Sequence, residues 1–252
     1  MAARQPDRYD KLGTTYHRTR REDPSLATQI HPALGDARSV VNVGAGTGSY
    51  EPSDRRVVAV EPSSVMIAGR GPGAVPVVQA AAEALPFTDR SFDAGMALWT
   101  VHHWSDPRQG VRELRRVARR VVILAASQRL NDLWMTRDYF PGMAENRGRP
   151  DIQPEAIAEV LGGVTHIQPL LVPRDCQDGF GEAFWGRPEA YLDPRVRANM
   201  SAFRLLDPGD VEAGLARLEH DLETGAWDAR HGHLRSLPHL DTGHRIIVSD
   251  AE

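Results

Sequence analysis

The sequence predicts an α/β fold: a doubly wound, mostly parallel sheet with helices on both faces. Three observations predict it. Short valine-rich runs alternate with stretches of helical periodicity, the rhythm of strand–helix–strand units around a sheet buried on both faces. The first run, Val40 to Val43, breaks into Gly44, Gly46 and Gly48, where bare backbone turns tightly and lets a ligand approach its amides. A second run, Val57 to Val60, ends in Glu61, close to the roughly 20-residue spacing at which an acid meets a ribose after such a loop. These features mark a nucleoside-binding first half.

The elements follow in order. Residues 1–36 read as an N-terminal helical arm, in which Asp23 caps a helix with Pro24 at its first position and Leu26 and Ile30 on one face. Tyr9 and Tyr16 lie upstream, on a segment that either folds over a ligand or packs on the sheet. Past Glu61, Pro62-Ser63 opens a helix carrying Val65, Met66 and Ala68, and Val75 to Val78 is a third strand. Phe92 to Trp99 is the fourth strand. Pro107 then starts a helix with Val111, Leu114 and Val117 inward, and Arg112, Arg115, Arg116, Arg119 and Arg120 read as its solvated face. Val121 to Ala125 and Val164 to Val172 are strands five and six, with a helix from Pro154 between them.

The alternation breaks over 174–243. Pro194 begins a helix with Val196, Met200 and Phe203 on one face. Asp207-Pro208 caps another, with Val211, Leu215, Leu218 and Leu222 at helical spacing and Gly225 as its stop. Arg245 to Val248 is the seventh strand. The expected organisation is one domain over 1–252, with a ligand-binding core at 37–127 and a helical insertion at 174–243 before the last strand.

Composition narrows the partners. A net charge of −4 leaves no basic field to attract nucleic acid. Cys176 is the only cysteine, so an intramolecular disulfide is impossible and a reducing compartment fits. No apolar run approaches the ~20 residues needed to cross a bilayer, and the N-terminus lacks a signal-peptide core. A cytoplasmic monomer or homodimer, with no membrane partner, is expected.

Three motifs carry a resemblance. VVNVGAGTG, VVAVEPSSVM and AEALPFTDRSFDAGMALWTVHHW, in that order, resemble the class I S-adenosylmethionine-dependent methyltransferases, specifically the branch similar to ubiquinone/menaquinone C-methyltransferases. The glycines are spaced G-x-G-x-G, unlike the G-x-G-x-x-G of nicotinamide enzymes, and the third motif argues further against an oxidoreductase. The resemblance implies the Rossmann-like methyltransferase fold, S-adenosylmethionine as cofactor, S-adenosylhomocysteine as product and a small-molecule acceptor. It places the cofactor on Asn42, Gly44, Ala45, Gly46, Thr47, Gly48, Glu61, Pro62, Ser63, Met66, Ala82, Glu83, Leu98 and Trp99, with Tyr16 folding over it. Glu61 would accept the ribose hydroxyls and Met66 would pack under the adenine or fill the core.

Two residues depart from the family. Relatives mostly carry aspartate where this chain has Asn42, and often an acid where it has Ala81, so adenine must be read by backbone, Glu83 or apolar packing. Methyl transfer needs alignment more than covalent catalysis. His102 and His103 follow the fourth strand and are candidate general bases, imidazole titrating near pH 6.5. Trp104 reads as a lid over the cofactor. His231, His233, His239 and His244 lack a completing acid or cysteine, so they read as scattered surface residues and no metal is expected. Phe180, Phe184, Trp185, Tyr191 and Phe203 line an acceptor pocket or pack the insertion. The acceptor atom is O, N or C. The alternative is a protein that uses bound S-adenosylmethionine without methylating, or serves as partner to another enzyme.

Overall fold

The computed structural model describes residues 21–145, 149–198 and 200–250; Tyr9 and Tyr16 lie outside them. Its centre is a seven-stranded sheet of order β3-β2-β1-β4-β5-β7-β6 among the described residues. The strands are β1 (Ser39–Val43), β2 (Arg56–Val60), β3 (Val77–Val78), β4 (Phe92–Leu98), β5 (Ala118–Ala126), β6 (Thr165–Pro173) and β7 (His239–Asp250). Strands β1 to β5 pair in parallel, and β7 runs antiparallel between β5 and β6. The strand order reverses beside β1, at the β1/β4 boundary, where open sheets of this kind bind ligands.

Period-2 alternation splits the core in two. Val40, Met96, Leu124 and Ile246 face α1 (Pro24–Ile30) together with Phe180 and Trp185 of the insertion. Val41, Val43, Ala97 and Ile123 face α3 (Pro107–Val117) and α5 (Pro154–Leu161). Asp23 caps α1 through Oδ1, which accepts from Ser25 N and Leu26 N at 2.9 and 3.2 Å. Ser63 caps α2 (Ser64–Ala68) in the same way, its hydroxyl accepting from Met66 N at 3.3 Å. A short α4 (Gly142–Glu145) lies between β5 and α5.

Between β6 and β7 lie α6 (Pro194–Arg197), α7 (Ser201–Arg204), α8 (Pro208–Glu223) and α9 (Ala226–His231). They bury a third core of Trp134, Tyr139, Phe140, Tyr191, Phe203 and Trp227. Three expectations change. The single helix expected from Pro194 to Phe203 is two short ones, because Met200 is extended with φ −90° and ψ 110°. Strand β7 begins at His239, six residues before the apolar run, because its polar start pairs with the end of β6. Arg112 and Arg119 are exposed as expected, whereas Arg115, Arg116 and Arg120 are half-buried clamps, and Arg119 and Arg120 belong to β5. Arg116 donates to Glu113, Asp89 and the carbonyls of Leu85 and Phe87. Arg120 donates to Ala33 O and Asp250.

Candidate active site

The site begins where β1 runs into its glycine loop. Gly44 N and Ala45 N both donate to Val60 O, at 2.8 and 3.0 Å, which folds the loop across the end of β2. Gly44 has φ +70°, and a Cβ there would lie 2.0 Å from Thr100 Oγ1, so the loop closes against the residues after β4 only as glycine. Glu61 directly follows β2 and is 6% exposed. Its Oε2 accepts from Gly46 N at 2.8 Å and its Oε1 from Ser63 N at 3.0 Å. Burial raises its pKa, and those two donors and Arg70 offset only part of the rise. A carboxylate has about four lone-pair sites, so the two left over suit the paired hydroxyls of a ribose.

Beneath the loop sits a network that the motifs do not reveal. Asn42, 3% exposed, donates through Nδ2 to Glu51 Oε1 at 3.1 Å. Arg70 Nη2 donates to both oxygens of Glu51, at 2.8 and 2.6 Å, and Nη1 donates to Gly46 O at 3.1 Å. The two charged side chains are 3% and 9% exposed. Gly48 leaves room for them, since a Cβ there would fall 2.9 Å from Glu51 Oε2. Asn42 therefore acts on the loop through Glu51 and Arg70. No spacing rule points to those two residues, which meet only when α2 folds back.

The side of the loop expected to hold adenine carries apolar Met66 and Ala82. Met66 is 3% exposed and supports the loop, its Cε lying 3.2 Å from a Cβ built on Gly46. Ala45 and Ala82 are buried, Thr47 and Gly48 half-buried, and Pro62 and Ala81 exposed. Glu83 Oε1 accepts from Ser105 N and Oγ, both at 2.7 Å, and from Asp106 N at 3.1 Å. Burial raises its pKa most, but those donors together outweigh it, and the carboxyl is held below its usual value. Its Oε1 is thus committed to the turn after β4.

Beyond β4, Leu98 and Trp99 are half-buried, and Trp99 has φ +50°. Its ring lies 5.5 Å from that of Tyr50, 5.3 Å from Phe180 and 6.0 Å from His244. His102 is exposed and His103 half-buried on a short 3-10 turn, their rings 3.7 Å apart. Trp104 is not a lid: it is 6% exposed and packs in the core, so tightly that a Cβ on Gly110 would meet its Cε3 at 2.4 Å. Of the aromatics in the insertion, Phe180 reaches Trp99, while Trp185, Tyr191 and Phe203 fill cores. His231 and His244 are buried beside carboxylates, which corrects their reading as surface residues. Neither had a local signal, because Asp138 and Glu182 are distant in sequence. Among the described residues, no group of three or more His, Cys, Asp or Glu is placed to hold a metal ion, and no helix is long and apolar enough to cross a membrane.

Fold and site define a class I S-adenosylmethionine-dependent methyltransferase architecture. A family described as "Methyltransferase domain" matches residues 41–126. The chain is 33% identical to a structure named as a methyltransferase from an antibiotic biosynthesis pathway of Anabaena variabilis ATCC 29413, covering 92% of this chain and 98% of that one with a TM-score of 0.82. The chain belongs to the S-adenosylmethionine-dependent methyltransferase family. It is also 33% identical over 107 residues to the uncharacterized methyltransferase YcgJ of Bacillus subtilis (strain 168), a match spanning 38% of this chain and 42% of that protein. The [4+2]-cyclase SpnF shares the fold at 18% identity and a TM-score of 0.50, over 90% of this chain and 80% of that one.

Proposed function

We propose that the protein transfers a methyl group from S-adenosylmethionine to O, N or C of a small-molecule acceptor in secondary metabolism. The observation that carries this is Glu61, a buried carboxylate fixed by Gly46 N and Ser63 N beside the glycine loop, with acceptor capacity left for a ribose. The Anabaena relative's antibiotic pathway supports the secondary-metabolite reading. In this reading Gly44, Gly46, Thr47 and Gly48 hold the methionine part, with Asn42 and Ala45 beneath them. Pro62, Ser63, Met66 and Ala82 flank the adenine, with Glu83 holding the neighbouring turn, and Leu98 and Trp99 border the sulfur. Tyr16 is a further cofactor-binding candidate in this reading.

When bound, the sulfonium supplies an activated methyl group, and the protein's own work is alignment and exclusion of water. Glu61 fixes the ribose, the glycine loop fixes the chain beyond it, and the aromatic rings of Tyr50, Trp99 and Phe180 keep the acceptor side dry. The insertion at 174–243 then serves as the acceptor lid. His102 and His103 are candidates to take a proton from the acceptor. A cytoplasmic monomer or homodimer completes the proposal.

Calorimetry with S-adenosylhomocysteine tests the cofactor: wild type binds, and Glu61→Ala binds at least about tenfold more weakly, since charge-assisted hydrogen bonds contribute about 1.5–3 kcal/mol each. Equal binding by both removes the proposal. SpnF carries a second reading, because its name assigns a cyclisation to the same fold. Mass spectrometry separates the two: a gain of one methyl group in an acceptor excludes the non-methylating use.

A further inference from the structure

Gly46 is held at both of its ends, and both holders are charged side chains. Its N–H donates to Glu61 Oε2 at 2.8 Å, and its carbonyl accepts from Arg70 Nη1 at 3.1 Å. Gly46 has φ +53°, a conformation open to glycine, whose own dihedrals do little to fix where its N–H points. The aim of that N–H therefore comes from contacts outside the residue. Arg70, just past the end of α2, supplies one of them, and its side chain is 3% exposed. The same guanidinium binds both oxygens of Glu51, which is 9% exposed and accepts from Asn42 Nδ2. Arg70 Nε is buried with no hydrogen-bond partner among the described residues. A buried ion pair is weak evidence for stability, and an orphaned N–H beside it adds a cost, so packing alone does not account for this one.

We propose that Arg70 is a positioning residue for the ribose acid: it aims Gly46 N–H at Glu61 and stabilises the charge on that carboxylate. Glu51 sets how much of the guanidinium charge is left for the task. This rests on the methyl-transfer reading above, in which Glu61 takes the ribose hydroxyls. Both carboxylates and the guanidinium are nearly dry, where opposite charges attract more strongly than in water. Burial is the largest influence on Glu61 and raises its pKa, while the donors Ser63 N and Gly46 N and the Arg70 charge work against that rise. Arg70 thus acts twice, through space on the carboxylate and through Gly46 on one of its donors. Glu51 opposes the first action, because a bidentate carboxylate neutralises the guanidinium. The loop from Gly44 to Gly48, α2, β1 and β3 carry no titratable side chain, which leaves Arg70 and, through it, Glu51 as the charges of this network. Ribose hydroxyls donate to an ionised carboxylate better than to a protonated one, which spends an oxygen on its own proton. The pair beneath the loop therefore sets the pH at which the ribose is held.

Calorimetric titration of S-adenosylhomocysteine across pH tests this, because wild-type affinity should rise as Glu61 ionises. In Glu51→Gln the guanidinium charge is no longer shared, and the midpoint of that rise should move to lower pH. Adding Arg70→Gln to Glu51→Gln removes the charge without leaving an unpaired acid. The double variant's midpoint should lie above that of Glu51→Gln. Its affinity on the high-pH plateau should be about 2- to 10-fold weaker, as for loss of one net hydrogen bond. A residue that only props up the fold would lower affinity evenly and leave the midpoints in place. Midpoints that coincide in the two variants, or that shift in the reverse order, overturn the proposal. So does a wild-type affinity independent of pH, or a shift that Glu51→Gln still produces in the Glu61→Gln background. Should the double variant fail to fold, Glu51→Gln decides alone: a lowered midpoint supports the proposal, and an unchanged or raised one overturns it. Failure of wild type to bind S-adenosylhomocysteine at any pH overturns the methyl-transfer reading instead.

Discussion

Asn42 donates its side-chain amide to Glu51 across the base of the glycine loop, Nδ2 to Oε1 at 3.1 Å. The resemblance led to the expectation that aspartate belongs at this position, yet here an acid already occupies the other end of the contact. Asn42→Asp would set two carboxylates against each other beneath Gly46, with Arg70 left to serve both. The expected outcome is weaker S-adenosylhomocysteine binding by on the order of 1–2 kcal/mol, roughly 5- to 30-fold. The double variant Asn42→Asp/Glu51→Gln should recover most of that loss, because it moves the charge without duplicating it. Calorimetry on the three proteins checks this. Tighter binding by Asn42→Asp alone would show that Glu51 does not govern the loop.

The raised pKa of Glu61 has two consequences of opposite sign. Its ordinary value is 4.5, and burial makes the folded carboxyl hold its proton above that. In the ligand-free protein this stabilisation is present at low pH and is lost as pH rises from 4.5 through the raised pKa. Ribose hydroxyls need the ionised form, so S-adenosylhomocysteine affinity should rise over the same window, with proton release on binding. Calorimetry in buffers of different ionisation enthalpy detects that release. Glu61→Gln should flatten both profiles, and an affinity independent of pH across the window would exclude Glu61 as the ribose acceptor.

The sheet and the cofactor loop were legible in the sequence because their causes are local. A valine strand, glycines that allow positive φ and an acid at the next strand end each act over a few residues, and β1, β2, β4 and β5 begin and end near where the patterns place them. Trp104 reads as a lid in the sequence because nothing local marks it as core, whereas its place there depends on close packing with Gly110, six residues on. Glu51–Arg70 and His244–Glu182 were invisible for a different reason. Each joins residues that only the folded chain brings together, and neither follows a spacing rule. Met200 interrupts a helix that its periodicity favoured, because its backbone turns extended there.

Tyr50 couples the loop to the insertion through a single hydroxyl. It donates to Asp178 Oδ2 at 3.0 Å and accepts from Asp23 N at 3.1 Å, all three residues being buried. Tyr50→Phe keeps the ring against Trp99 and removes the bridge. Stability should fall by about 1–3 kcal/mol, since a buried polar group that loses its partner loses more than one hydrogen bond's net contribution. Urea denaturation measures this. Hydrogen exchange should also quicken around Asp178 and at the start of α1, and an unchanged exchange pattern would mean the bridge does not tie the segments together.

Trp104 provides the sharpest separation of core from site. A lid residue would affect ligand affinity and leave the fold intact, whereas a buried indole wedged over Gly110 should do the reverse. Trp104→Ala should lower stability by about 3–5 kcal/mol, the usual loss for truncating a buried aromatic side chain. Gly110→Ala tests the same contact from the other side. Its new Cβ would sit 2.4 Å from the indole Cε3, and overpacking of that kind costs about 1–3 kcal/mol. For a chain of this length each kcal/mol shifts the melting temperature by about 2–4 °C, so thermal denaturation resolves both variants. Measured well below their melting points, both should bind S-adenosylhomocysteine like wild type. A stable Trp104→Ala protein with lost affinity would return Trp104 to the cofactor, and the packing of α3 against β4 would then need another anchor.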